Sequence, residues 1–116
     1  MGDYSIPYNN KLTGYQGNSK DVFCAVKDAS GNDYNLTGYD AYFYAKKFPV
    51  NPDAALDVST SAYSIDTSEG SILFSLSSTQ LDLTVGDYVY EIIIDNGAGI
   101  VISVVSDRLS LFESLV

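Results

Sequence analysis

Apolar and polar residues alternate with a period of two along most of this chain, which is the pattern of half-buried β-strands. The strongest stretch is residues 88–95, where aromatic and β-branched residues follow each other almost without a break. Residues 83–87 precede it and supply turn chemistry through Gly86 and Asp87. We predict that residues 88–95 form a central strand around which the other strands pack.

The same alternation assigns inward and outward faces to two further strands. In residues 40–48 one face ends in the charged Lys46, so we predict that the opposite face points into the core. The inward residues are then Ala41, Phe43 and Ala45, and the outward residues are Tyr42, Tyr44 and Lys46. In residues 71–77 the predicted inward residues are Ile72, Phe74 and Leu76.

Turn residues separate the remaining predicted elements. Strands are predicted at residues 21–27 and 100–107, with short edge strands at 56–58 and 62–66 and another beginning near Tyr34. Residues 28–33 and 96–99 are predicted turns, and the Ser/Thr run between the two edge strands is a predicted loop. Residues 78–83 suit one helical turn with a Ser or Thr cap, and residues 108–116 either extend the last strand or form a tail.

This succession of short strands predicts one all-β domain. Seven to nine short strands with a turn about every ten residues indicate an antiparallel, immunoglobulin-like β-sandwich over residues 19–116. Residues 1–18 are polar and rich in Asn, Gly and Tyr, so they are predicted to be an extended arm. Such an arm is ordered by a neighbouring subunit, or it is a loose terminus or a short edge strand.

The residues Leu83, Gly86, Tyr88 and Tyr90 have the spacing of a tyrosine corner. In that arrangement a Tyr at the start of a central strand bonds back to the turn before it. Tyr88 is predicted to make this bond, and Tyr90 is predicted to lie in the core, where immunoglobulins place a cysteine. The role of all four residues is structural, and it does not indicate what the domain binds.

Charge and residue content exclude several classes of function. The net charge is −9, with six Lys+Arg and no His, and such an acidic surface makes nucleic acid and anionic membrane poor partners. The single Cys24 lies in an apolar strand pattern and is predicted to be a small buried hydrophobe. Residues 1–7 lack a basic region followed by an apolar run, so we expect no signal peptide and a soluble protein.

The acidic residues do not form a catalytic or metal-binding pattern. Asp82, Asp87, Glu91 and Asp95 lie along one segment, whereas a glycosidase-like pair needs two carboxyl groups opposed across a cleft. Residues 28–33 lack the full ligand set of a calcium loop. We therefore expect no enzyme, no metal site and no cofactor.

The aromatic content is unusual, with 10 Tyr, 5 Phe and no Trp. Tyrosine has a large apolar body and a polar tip, which suits strand surfaces and protein interfaces. Tyr42, Tyr44 and Tyr63 are therefore candidate interface residues. A carbohydrate-binding module is an alternative, and it predicts that these three rings are exposed and coplanar on one sheet.

Taken together, an ordered series of short motifs over residues 20–108 resembles a known group of proteins. The motifs are Asp21-Val22-Phe23, Asp28-x-x-Gly31, Asn35-Leu36-Thr37-Gly38-Tyr39, Ala41-x-Phe43-x-Ala45-Lys46, Gly70-Ser71-Ile72, the Leu-x-Leu-x-x-Gly-x-Tyr-x-Tyr run from Leu81, and Gly99-Ile100-Val101. The series resembles the small immunoglobulin-like modules of tailed-bacteriophage virions and is similar to the N-terminal domain of upper baseplate proteins.

This resemblance implies a non-enzymatic structural component of the virion, an assembly or adaptor module of the tail or baseplate. Its expected partners are other virion proteins in a multi-copy assembly, and its expected location is the virion. A head decoration protein is an alternative, as is a module that binds a host glycan.

Overall fold

The structure is a computed structural model that describes residues 11–114, and this part of the chain contains eight β-strands and no helix. The strands are β1 (Leu12–Tyr15), β2 (Lys20–Ala25), β3 (Asp40–Lys47), β4 (Val58–Ser61), β5 (Ser64–Asp66), β6 (Ser71–Leu76), β7 (Gly86–Asp95) and β8 (Val101–Phe112). They form a five-stranded sheet in the order β1-β8-β7-β3-β4 and a three-stranded sheet in the order β2-β6-β5.

The fold class is confirmed as an all-β, immunoglobulin-like sandwich. The order β8-β7-β3-β4 matches the G-F-C-C′ order of immunoglobulin sheets, and β2-β6-β5 matches B-E-D. Every pair of strands is antiparallel except β1 and β8, which run parallel from Leu12 opposite Leu109 to Tyr15 opposite Phe112. The predicted central strand is β7, which lies between β3 and β8.

The core fills the space between the two sheets, and the predicted inward residues of β3 and β6 are buried in it, as is Tyr90 of β7. Phe43 on β3 joins the sheets, because its ring stacks on Tyr90 of the same sheet and contacts Phe74 of the other. The ring centroids lie 5.3 Å from Tyr90 and 5.8 Å from Phe74. On β2, Val22 and Cys24 are buried and Phe23 faces outward.

The hairpin of β7 and β8 contains a β-bulge. Ile92 lies opposite Val105 but Ile93 lies opposite Ser103, so Val104 is an extra residue on β8. Val104 and Val105 are both buried as a result, which strict alternation would not allow. Residues 108–116 are predicted either to extend the last strand or to form a tail. The strand does continue, and β8 ends at Phe112.

Several predicted boundaries differ from the structure by one or two residues, and three predicted elements differ by more. Val58–Ser61, placed mostly in a Ser/Thr loop, is strand β4, because β3 lies beside it and supplies its hydrogen bonds. No strand begins at Tyr34; a single bridge from Lys27 to Asp33 closes the turn instead. In place of the predicted helical turn at residues 78–83, residues 78–81 form a non-helical turn, and the Ser77 hydroxyl oxygen accepts a hydrogen bond from the Gln80 amide.

The predicted arm at residues 1–18 is structured in part. Leu12–Tyr15 is the edge strand β1, held by parallel pairing with β8, which corresponds to the short-edge-strand alternative. Residues 1–10 lie outside the described residues, as do residues 115 and 116. The five-stranded sheet therefore begins before residue 19.

Candidate interaction surface

The turn before β7 has the geometry of a tyrosine corner. The Tyr88 hydroxyl donates a hydrogen bond of 2.7 Å to the Thr84 carbonyl oxygen, four residues earlier. The Tyr88 ring is buried, and the Lys47 ammonium lies 4.8 Å from its centroid. Burial, with a contribution from Asp57, raises the pKa of the Tyr88 hydroxyl, so it remains a donor at neutral pH.

The other three corner residues support this turn and the core. Gly86 has φ of 141°, a conformation that favours glycine, and the Lys47 ammonium occupies the space that a side chain would need. Leu83 is half-buried and packs against the core. Tyr90 is buried, and this burial, aided by Asp107 and Cys24, raises the pKa of its hydroxyl.

The outward face of the five-stranded sheet, called here the outer face, carries the first two candidate interface residues. Tyr42 and Tyr44 stack on each other along β3, with ring centroids 6.1 Å apart and planes 8° from parallel. On the adjacent β7, Ile93 lies opposite Tyr42 and Glu91 lies opposite Tyr44. Both tyrosines and Ile93 are half-buried. The two stacked rings therefore form an aromatic ridge along β3 on the outer face.

A groove of about 250 Å³ lies beside this ridge on the outer face. Its walls come from β3, β7, β8 and the loop of residues 48–57, and include Tyr44, Lys46, Val50, Leu56, Val89 and Glu91. Lys46 holds the loop in place, because its ammonium donates hydrogen bonds to the carbonyl oxygens of Asn51 and Pro52. Val50 and Leu56 are exposed, so the groove has an apolar rim.

The outer face also carries aromatic residues outside the predicted set of candidate interface residues. Tyr15 of β1 and Phe112 of β8 are half-exposed, at 54% and 50%, and their ring centroids lie 6.3 Å apart. Nearby, the Arg108 guanidinium lies 3.5 Å from the centroid of Phe48 and 3.7 Å from the Asp87 carboxylate. The alternation of Leu12 to Tyr15 and of residues 108–112 was the available signal for these positions.

Tyr63, the third candidate residue, does not join the other two. It lies where the chain crosses from β4 in one sheet to β5 in the other, and its amide donates to the Leu73 carbonyl oxygen on β6. Its side chain is 75% exposed and, within residues 11–114, makes no ring contact with Tyr42 or Tyr44. The structure thus does not assemble the three-ring platform that a carbohydrate-binding module predicts.

The carboxylates along β7 are used in separate local contacts. Asp87 accepts from the Ser110 hydroxyl, Glu91 accepts from the Ser103 hydroxyl, and Asp95 accepts from the Gly97 amide. Among the described residues, no three His, Cys, Asp or Glu side chains are grouped so that they could hold a metal ion. No helix in residues 11–114 has the length and apolarity needed to cross a membrane.

Comparisons with known proteins identify the fold. No protein-family model matches the chain, and no curated protein matches it. Among solved structures, it is similar to the N-terminal domain of phage TP901-1 ORF48, with 19% sequence identity and a TM-score of 0.56. The match covers 87% of this chain and 81% of that one. The two chains share a fold. The resemblance to phage sandwich modules is therefore confirmed for the fold.

Proposed function

We propose that this protein is a non-enzymatic structural module of a tailed-phage virion, acting as an assembly or adaptor unit of the tail or baseplate. The observation that carries the proposal is the shared fold with a phage domain over 87% of the chain. The Asp87 and Glu91 carboxylates accept hydrogen bonds from Ser110 and Ser103 across the β7–β8 pair, a structural use that suits a scaffold.

The outer face has the composition of a protein interface. Tyr, Phe and Arg are enriched in interface cores, and here Tyr15, Tyr42, Tyr44, Phe112 and Arg108 share one side of the five-stranded sheet. The sheet beneath them is rigid, because its other side is the core of the sandwich. In a symmetric particle the same contact is repeated many times, so each one can be modest in strength.

A direct test is to locate the protein in phage particles by gold-labelled antibody, after showing that it sediments with them. Label at the tail shaft or tail tip is the expected result. Regular label over the head would replace the tail assignment with the head decoration alternative. If the protein stays in the soluble fraction, the virion proposal is wrong, and binding to host glycans becomes the next assay.

A pair of Val→Arg variants tests whether the outer face makes the contact. Val89→Arg places a charge in the groove, and Val85→Arg adds the same charge at an exposed site outside it. Each variant is supplied from a plasmid to a phage lacking the gene. We expect Val89→Arg to be absent from particles and Val85→Arg to be incorporated, whereas equal incorporation of the two folded variants would exclude the groove from the interface.

A further inference from the structure

We infer that the outer face receives an extended, basic segment of a neighbouring protein, with an Arg or Lys side chain bound between Asp40 and Asp95. This inference rests on the proposed function, because it names the chemistry of the partner at the same face. Three observations support it. The register of β3 and β7 places Asp40 opposite Asp95, and the aromatic ridge of Tyr42 and Tyr44 begins beside them. The cationic side chains of the outer face, Lys46 and Arg108, already contact other groups of this chain.

Asp40 and Asp95 lie directly opposite each other across neighbouring strands, and the Asp95 carboxylate also accepts a hydrogen bond from the Gly97 amide. Asp40, the first residue of β3, lies opposite Asp95, the last residue of β7, and both belong to the outward-facing set of their strands. Side chains in such cross-strand pairs lie about 4.5–5.5 Å apart at Cβ, where like charges repel. Tyr42 follows Asp40 by two residues on the same face of β3, and Asp40, and more weakly Asp95, raise the pKa of the Tyr42 hydroxyl.

Neither carboxylate belongs to the ion pairs seen among residues 11–114. One of these joins Lys27 to Asp33, and another joins Arg108 to Asp87. A cation supplied by a partner would lie between two carboxylates and beside the Tyr42 ring, where both ionic and cation–π attraction favour it. The free protein therefore carries a repulsion that binding a basic side chain would remove.

A second copy of this chain is a poor source of that cation. The cationic side chains of the outer face are held internally, since Lys46 donates to Asn51 and Pro52 and Arg108 lies against Phe48 and Asp87. The chain also carries a net charge of −9, so two copies repel each other. Charge complementarity thus favours a different, basic protein surface.

The geometry also sets the length of the bound segment. From Asp40 to Tyr44, at the edge of the groove, is four residues of β3, or about 13 Å at 3.3 Å per residue. An extended segment with a basic residue at one position and an apolar residue four positions later would reach both the carboxylates and the groove. The ridge of Tyr42 and Tyr44 lies along the path between them.

Amide NMR of the labelled protein, titrated with the capped peptide Arg-Ser-Ser-Ser-Leu, tests this arrangement. We expect shifts concentrated at Asp40, Tyr42, Val89 and Asp95, and a weaker response to Glu-Ser-Ser-Ser-Leu. The double variant Asp40→Asn/Asp95→Asn should lose affinity for the Arg peptide about fivefold or more. The control Asp21→Asn removes a charge from the other sheet and should bind as the unchanged protein does.

The same double variant gives a second readout with the opposite sign. Removing the repulsion between the two carboxylates should raise the melting temperature of the free protein by about 1–3 °C. A misfolded variant would lose both binding and stability, so weaker binding together with a higher melting temperature shows that the two carboxylates themselves bind the peptide. Equal binding by the variant, or shifts spread evenly over all acidic residues, would overturn the inference. Outer-face shifts that grow with protein concentration alone would instead make a second copy the occupant. Gold labelling of particles tests the proposed virion function separately, because its outcome does not depend on whether the peptide binds.

Discussion

The Tyr88 hydroxyl ties the start of β7 to the turn before it through one hydrogen bond. Tyr88→Phe keeps the ring and removes only this bond, so we expect the free energy of unfolding to fall by about 1 kcal/mol. Urea denaturation followed by circular dichroism would measure the change. Tyr63→Phe removes an exposed hydroxyl as a control and should leave stability unchanged; an equal loss in both variants would contradict the role given to the corner.

Gly70 is the residue at which a side chain would be least tolerated. It has φ of 64°, and a Cβ there would lie 2.6 Å from the Tyr34 carbonyl oxygen and 2.8 Å from that of Val26. Both obstacles are backbone atoms, so the loop itself would have to move. We expect Gly70→Ala to lower the free energy of unfolding by about 3 kcal/mol or to prevent folding.

Gly97→Ala is the matched control, because Gly97 has φ of 74° but no atom within 4 Å of the added Cβ. Its free energy of unfolding should fall by about 1 kcal/mol, the cost of placing a side chain on a left-handed backbone. Similar losses at Gly70 and Gly97, compared by urea denaturation, would show that the close approach at Gly70 carries no cost. The sequence does not separate these two glycines, because the contacts of Gly70 come from residues more than thirty positions away.

At the scale of strands, Phe43 links the two sheets through ring contacts. Its ring is fully buried between Tyr90 and Phe74, so Phe43→Ala would leave a cavity at the centre of the core. We expect a loss of about 3–5 kcal/mol, measured by thermal or urea denaturation. Phe23→Ala removes the same atoms from a side chain that is 68% exposed, and it should cost far less.

Alternation of residues was sufficient to predict the strands that have a clear apolar face. It located β3, β6 and β7 and their buried sides, because each buries every second residue. It gave β1 only as one alternative for the N-terminal arm, and it missed most of β4; both strands are short and largely polar. Their strand conformation depends on pairing with β8 and β3, and the β1 partner lies 97 positions away, at Leu109 for Leu12.

The candidate surface was predicted only in part, for the same reason. Tyr42 and Tyr44 belong to one strand, so their shared face follows from spacing alone. The contact of Tyr15 with Phe112 joins opposite ends of the chain, and it depends on the parallel pairing of β1 with β8. Residue type alone places Tyr63 with the other tyrosines, but the chain passes from one sheet to the other at that point.

At the scale of the whole molecule, the core makes stability sensitive to alkaline pH. Burial raises the pKa of the Cys24 thiol from 9.0 to about 11, so the folded state keeps a proton that the unfolded chain loses above pH 9. The stability from this group is complete below pH 9 and falls by about 1.4 kcal/mol per pH unit up to about pH 11. Tyr90, whose pKa is also raised, steepens the loss above pH 10.

Urea denaturation at intervals from pH 7 to 11, followed by circular dichroism, would measure this dependence. In Cys24→Ala the decline should begin about one pH unit higher, near pH 10, where the tyrosines start to ionise. The comparison uses the pH dependence of each protein rather than its absolute stability, since the variant also loses packing. An unchanged onset would show that the thiol is ionised as easily in the folded state as in the unfolded state.

The parallel pairing of β1 with β8 also determines how the domain would respond to mechanical load. Tension applied before Leu12 and after Phe112 pulls the two strands along their length in opposite directions. Their backbone hydrogen bonds then resist together in shear, whereas an antiparallel pair pulled from one end opens one bond at a time. A module joined to its neighbours at these two points would transmit force through a particle with little extension before it yields.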